Sequence, residues 1–225
     1  MDGRLSSDDM VSRQLEARGI RDAAVLAAMR TVPRERFVPQ ELIVHAHDDN
    51  PLPIGSDQTI SQPYIVARML EAAELGPTAR VLDVGTGSGY AAAVAAELAL
   101  DVVSIERIPE LADAAGRRLR ALGYADITVL VGDGTLGAPE HAPFDAIIAA
   151  AAGSDVPPAW LAQLAPHGRI VLPIEAASGR QELIVATVGH DGGLVRRSLG
   201  AVLFVPLIGE AGLKRGRPGG RHRRG

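Results

Sequence analysis

The chain has 225 residues, 47% hydrophobic and 22% charged, enough for one α/β domain with a sizeable core and unlike a disordered or fibrous protein. It has no cysteine, which removes disulfides, thiolate catalysis and cysteine metal sites together; the cytosol is the expected compartment and no metal site is expected. Aromatics at 3% leave no base-stacking platform, no apolar run spans a bilayer and net charge is −4, so neither a specific nucleic-acid partner nor a membrane is expected.

Residues 1–9 are polar and acidic, without an apolar signal region. Residues 8–29 carry apolar side chains at helical spacing (Met10, Val11, Leu15, then Val25, Leu26, Met29) broken at Gly19, which predicts two short helices. Pro33 and Pro39 predict an extended stretch, and residues 48–58, rich in Asp, Pro and Gly, predict a surface loop. Ser61-Gln62-Pro63 then opens a helix reaching about Ala73, with proline in its first turn.

From Arg80 onward, apolar runs at 81–84, 102–105, 127–131 and 144–149 read as strands, with helices at 90–98 and 108–122 between them. That alternation predicts a parallel sheet wound by helices on both faces. Runs at 169–173, 182–188 and 197–204 with short connections predict an antiparallel hairpin at the sheet edge. The expected fold class is thus α/β: a doubly wound, mostly parallel seven-stranded sheet with an antiparallel edge hairpin and N-terminal helices. One domain is expected over 1–210, with the helices and a substrate loop in 1–79 and a cofactor-binding sheet in 80–210. Residues 211–225, carrying Lys214, Arg215, Arg217, Arg221, Arg223 and Arg224, are expected to form a basic, disordered tail.

Val81-Leu82-Asp83-Val84 flows into Gly85-Thr86-Gly87-Ser88-Gly89-Tyr90 and an alanine-rich helix. A strand, a tight glycine turn and a helix N-terminus let backbone approach a ligand where a Cβ would clash. Glu106 ends the next strand, where a carboxylate can accept hydrogen bonds from ribose hydroxyls. Dinucleotide-binding loops space their glycines Gly-x-Gly-x-x-Gly to seat a pyrophosphate; here the spacing is Gly-x-Gly-x-Gly and Asp83 stands ahead of it. An acid there repels a pyrophosphate and suits a zwitterionic amino acid moiety, so S-adenosyl-L-methionine is expected over NAD. In Gly132-Asp133-Gly134, Asp133 can accept a hydrogen bond from an adenine amino group. Each acid has a plainer alternative: Asp83 caps the turn, Glu106 pairs with an arginine such as Arg107, Asp133 forms a turn.

The layout resembles the class I, Rossmann-like methyltransferases. Pro51-Leu52-Pro53-Ile54-Gly55 followed by Gln58-Thr59-Ile60-Ser61-Gln62-Pro63-Tyr64 is similar to a segment of the protein-L-isoaspartate O-methyltransferases. Residues 32–39, the glycine turn, Ile105-Glu106-Arg107, Gly132-Asp133-Gly134, Pro143–Ile148 and Phe204-Val205-Pro206-Leu207 resemble the same family, so the likeness covers about residues 8–210. The resemblance implies methyl transfer to the free carboxylate of L-isoaspartyl residues in damaged proteins and peptides, giving S-adenosyl-L-homocysteine and starting repair through a succinimide. It also implies a cofactor site of Asp83, Gly85, Thr86, Gly87, Ser88, Gly89, Tyr90, Glu106, Arg107, Gly132, Asp133 and Gly134, and substrate contacts from Ile54, Gln58 and Ile60.

Ser61 stands where the family has its catalytic serine; with Thr59 it is expected to donate hydrogen bonds to the substrate carboxylate, an orienting role rather than a nucleophilic one. A carboxylate with a pKa near 4 is already ionised at neutral pH, so no general base is required. The alternative is that Ser61 caps the following helix. A rival function is esterification of an ordinary Asp in one dedicated peptide. Two positions depart from the family pattern: Asp57, where glycine is common, and His47, where tyrosine is common. A monomer is expected.

Overall fold

The computed structural model describes residues 5–189 and 191–213; the predicted tail beyond residue 213 lies outside the described residues. The chain opens with α1 (Ser7–Met10), which runs on through a π turn (Val11–Leu15) and a 3₁₀ turn (Glu16–Arg18) and stops at Gly19, φ 98°. α2 (Ala23–Thr31) starts where the Asp22 side chain accepts from the Ala24 and Val25 amides. The predicted extended stretch is instead two 3₁₀ turns, Arg34–Phe37 and Gln40–His45. Each proline fixes only its own φ, and a short helical turn begins directly after it.

The predicted loop at 48–58 contains a small hairpin. β1 (Leu52–Gly55) pairs antiparallel with β2 (Gln58–Ile60) across Ser56 and Asp57, both left-handed at φ 51° and 57°. Two consecutive positive φ values are those of the hairpin turn whose twist matches its strands. α3 (Pro63–Ala73) follows, burying Val66, Met69 and Leu70.

Seven strands form the main sheet in the order β5-β4-β3-β6-β7-β8-β9. β3 (Arg80–Val84), β4 (Asp101–Glu106), β5 (Thr128–Val131), β6 (Phe144–Ala149) and β7 (Leu164–Glu175) run parallel; β8 (Gln181–Val188) and β9 (Leu194–Val202) complete an antiparallel edge. α4 (Tyr90–Ala96) and α5 (Pro109–Ala121) are the crossovers. The short α6 (Pro158–Gln163), unforeseen in sequence, leads straight into β7, which starts five residues before the predicted strand. Alternate residues of β3 enter different cores, as strand geometry requires. Val81 joins Met10, Met29 and Phe37 under the N-terminal helices, and Leu82 joins Ile147, Trp160 and Ile170 on the other face. Because the chain visits β4 and β5 on one side of β3 and then crosses to β6 on the other, a crevice opens at the carboxyl ends of β3 and β6.

Candidate active site

The glycine turn lies in that crevice. Gly85, Gly87 and Gly89 have φ of 97°, 53° and 90°, a region that side chains with a Cβ enter only at a cost. Gly85 donates to the Ile105 carbonyl at 2.8 Å, and a Cβ on Gly89 would stand 3.3 Å from Leu119 of α5. Glu106 is buried with one oxygen accepting from the Gly87 amide (2.9 Å) and the other from the Ile108 amide (3.0 Å). It forms no ion pair with Arg107 among the described residues, so the surface-pair alternative falls away. Asp83 is buried and accepts from the Ser104 hydroxyl at 2.7 Å. Since Ser104 spends its proton on Asp83, the Thr86 hydroxyl is the donor in the 2.6 Å contact between Thr86 and Ser104. Burial pushes the Asp83 carboxyl up to about 6, against the Ser104 hydrogen bond and with help from the Glu106 charge.

On the adjoining wall, Gly134 sits so close to Val84 that a Cβ would fall 2.5 Å from its Cγ1, and the Gly134 carbonyl accepts from the buried Trp160 indole at 2.9 Å. Gly132 donates to the Glu106 carbonyl at 2.9 Å. Asp133 spends its carboxylate on protein donors: the Thr135 amide and hydroxyl on one oxygen, the Glu210 amide (2.7 Å) on the other. Burial raises its pKa, but these three hydrogen bonds outweigh that and hold it below the usual range. The turn-forming alternative for Asp133 is therefore realised, and its carboxylate also ties down the segment around Glu210. Sequence reasoning missed the cleft wall made by Ala150, Ala151, Pro206, Leu207 and Ile208. Residues 205–207 are laced to Ala152 by amide–carbonyl bonds of 2.8 and 2.7 Å; Phe204, the end of the predicted strand 197–204, lies two residues past β9, which spans Leu194–Val202.

The hairpin closes the cleft from the other side. Ile54 Cδ1 would lie 3.3 Å from a Cβ on Gly87, and Gln58 and Thr59 line the cleft together with Gly87, Glu106 and Arg107. A wider open groove shares Thr59, Ala150 and Val205 with the cleft and adds Ser61, Tyr64 and the exposed Leu203. Ser61 and Asp83 also line one small apolar cavity beneath α3. Ser61 does not cap α3: the N-cap is Gln62, no side chain of the helix caps it, and Asp49 Oδ1 accepts from the Tyr64 amide at 3.0 Å. Among the described residues the Ser61 hydroxyl makes no hydrogen bond, while its carbonyl accepts from Arg34 Nη2 at 2.7 Å.

Some predicted side chains point elsewhere. Tyr90 is in the core, edge-on to Phe37 with ring centroids 5.5 Å apart and its hydroxyl on Met29 Sδ. Ile60 is buried in the same core, and Ser88 offers its carbonyl to Arg118 at 2.7 Å. Helical periodicity brought Tyr90 inward, so this residue meets the turn through its backbone. Of the two departures, Asp57 is exposed at a left-handed hairpin position, which explains why glycine suits it. His47 faces away from the groove, its Nδ1 on the Leu5 carbonyl at 2.9 Å and its own carbonyl accepting from Gln14.

The model of the family described as Protein-L-isoaspartate(D-aspartate) O-methyltransferase matches residues 6–212. The chain belongs to this family. It is 55% identical over 203 residues to Protein-L-isoaspartate O-methyltransferase 2 of Marinobacter nauticus, covering 90% of this chain and 93% of that one. To the protein-L-isoaspartate O-methyltransferase of Rhodopseudomonas palustris it is 50% identical over 212 residues, 94% and 97% of the two chains. A solved protein-L-isoaspartate O-methyltransferase superposes with a TM-score of 0.83 at 29% identity, over 92% of this chain and 67% of the other. A Plasmodium falciparum protein described in the same terms, solved in complex with S-adenosyl-L-homocysteine, gives 0.77 at 25% identity over 91% and 99%. The fold is thus the Rossmann-like methyltransferase fold, and none of the described helices is long and apolar enough to cross a membrane.

Proposed function

We propose that this chain methylates the free carboxylate of L-isoaspartyl residues in damaged proteins and peptides, using S-adenosyl-L-methionine. The observation that carries the reading is the pairing of an unengaged Ser61 hydroxyl with Thr59 in a groove that opens onto the glycine-turn cleft. The left-handed glycines, the buried Asp83 and the Glu106 carboxylate fit an amino acid joined to a nucleoside: Glu106 for ribose hydroxyls, Asp83 for the amino group, Gly134 and residues 205–208 for the base. When bound, the cofactor supplies an electrophilic methyl on a sulfonium. Ser61 and Thr59 would hold the acceptor carboxylate by its oxygens and point one at that methyl. Neither removes a proton, since the acceptor is already an anion. The hairpin and the residue 205–208 wall flank the point where the groove meets the cleft, and a substrate filling that groove would displace water from its own carboxylate.

In the resulting ester methoxide is a far better leaving group than the oxide of a carboxylate. The following backbone amide nitrogen of the substrate attacks the ester carbonyl, the C–OCH3 bond breaks, and the amide proton leaves with methoxide as methanol, giving a succinimide with no further residue. Relatives carrying the same family description over nine-tenths of this chain support the assignment. Cytosolic residence, a monomeric state and independence of nucleic acid belong to the same proposal. Incubation with an L-isoaspartyl peptide and the cofactor should release methanol and accumulate the L-aspartyl peptide. Methanol release from a single aspartyl peptide, with isoaspartyl peptides inert, would favour installation of an aspartimide in a dedicated partner.

A further inference from the structure

Arg34 is a guanidinium with no exposed surface, and it forms no ion pair among the described residues. Its Nε donates to the Ala46 carbonyl at 2.8 Å and its Nη2 to the Ser61 carbonyl at 2.7 Å. Its planar group lies over the Tyr90 ring, 4.7 Å from the centroid, and Nη1 is buried without a partner. Burying a cation is costly, and leaving one of its donors unpaired adds to the cost. As a stability device this is poor: a well-packed apolar side chain of similar volume would serve the core as well or better. What an apolar residue could not do is hold two specific carbonyls in a fixed fork while stacking on an aromatic face.

Those attachments join the two halves of the site. Tyr90 is the first residue of α4, directly behind Gly89 of the cofactor turn, and Ser61 is the residue assigned to the acceptor carboxylate. On the far side of Ser61, Asp49 holds the Tyr64 amide and pairs with Arg18, whose guanidinium is 3.6 Å from the Tyr64 ring centroid. Ser61 is therefore gripped at its carbonyl by one charge and, three residues on, by another. We propose that Arg34 is a positioning residue of the methyl transfer, a buried cation that fixes where Ser61 stands relative to the cofactor turn. The inference rests on the orienting role of Ser61 proposed above.

The test measures kcat with an isoaspartyl peptide, S-adenosylhomocysteine affinity by calorimetry and the melting temperature for R34M, R34K, S61A and the double variant R34M/S61A, each normalised to the fraction that binds S-adenosylhomocysteine. R34M is expected to lower kcat by about ten- to a hundredfold, since a small misplacement of a reacting group costs that much, while cofactor affinity changes less than about threefold. R34K, which keeps the charge but replaces the two-pronged fork by a single ammonium nitrogen, should recover part of the loss, and it carries the test if R34M does not fold. In the S61A background, removing Arg34 should cost no more than about threefold, because residues acting as a unit are not additive. Losses that multiply in the double variant, or a kcat for R34M and R34K equal to wild type once normalised, would overturn the role of Arg34 while leaving that of Ser61 standing. Wild-type kcat in S61A would overturn the serine reading and this inference with it.

Discussion

The turn after β3 and the hairpin before α3 face the same cleft and are held by different means. Gly85 is tied to Ile105, Gly87 to Glu106 and Gly89 wedged against α5, with a hydroxyl relay from Thr86 through Ser104 to Asp83 beneath. The hairpin has its two short strands, the cover of Ile54 over Gly87 and Gln58 bonding its own tip at 3.1 Å, and just past β2 the chain is anchored by Arg34 at the Ser61 carbonyl and by Asp49 at the Tyr64 amide. On the proposed reading, cofactor recognition would be built into sheet-end backbone, whereas acceptor recognition would be carried on a light element positioned by charges from elsewhere in the chain. Damage on one side should therefore show in affinity for the cofactor product and damage on the other in turnover.

Ser61→Ala gives the largest separation: kcat should fall about a hundredfold, the cost of removing one donor aimed at the reacting group, with S-adenosylhomocysteine affinity nearly unchanged by calorimetry. A parallel loss of affinity would place Ser61 on the cofactor side and dissolve the distinction. Glu106→Gln should do the reverse, weakening S-adenosylhomocysteine by roughly tenfold or more, since charged hydrogen bonds contribute about 1.5–3 kcal/mol each, while kcat at saturating cofactor changes little.

Asp83 sharpens the contrast through pH. Its carboxyl is pushed up to about 6 by burial, and a cationic amino group beside it would favour the ionised form. Binding then expels a proton at acid pH, so S-adenosylhomocysteine affinity should weaken by up to about tenfold as pH falls from about 7 to about 5. Asp83→Asn should remove that dependence, and a flat profile in the wild type would contradict the placement. Stability runs the other way. A carboxyl whose folded pKa lies above its unfolded value of about 4 contributes most below pH 4 and loses that contribution as pH rises through about 6. The smallest effect expected is from Asp57→Gly, which relieves a left-handed φ of 57° and should stabilise by no more than about 1 kcal/mol, read as a modest rise in melting temperature with KM for the peptide unchanged. A large rise in KM would bring Asp57 into the groove.

The cofactor half was legible in the sequence because its signals are local. Glycines at fixed spacing, an acid at each strand end and an apolar run ahead of them all follow from what one turn of backbone needs. The sheet was legible for the same reason, apart from α6 and the early start of β7. The hairpin was hidden because Asp57 and Ser56 are not the glycine or asparagine that usually announce two left-handed positions. Ser61 as a helix cap was a fair local reading that failed on Asp49, a residue 15 positions from the amide it caps. Arg34 reaches Ser61 across 27 positions, and only the fold makes such partners neighbours. The bond from the Glu210 amide to Asp133 spans 77 positions and was invisible in sequence for the same reason.

The most direct measurement is the initial rate of methyl transfer, with labelled S-adenosylmethionine, to an L-isoaspartyl peptide and to its L-aspartyl twin of identical sequence. A site that orients a displaced carboxylate by Ser61 and Thr59 should prefer the isoaspartyl peptide by at least about a hundredfold in kcat/KM. Equal rates on both peptides, or transfer to neither, would contradict it.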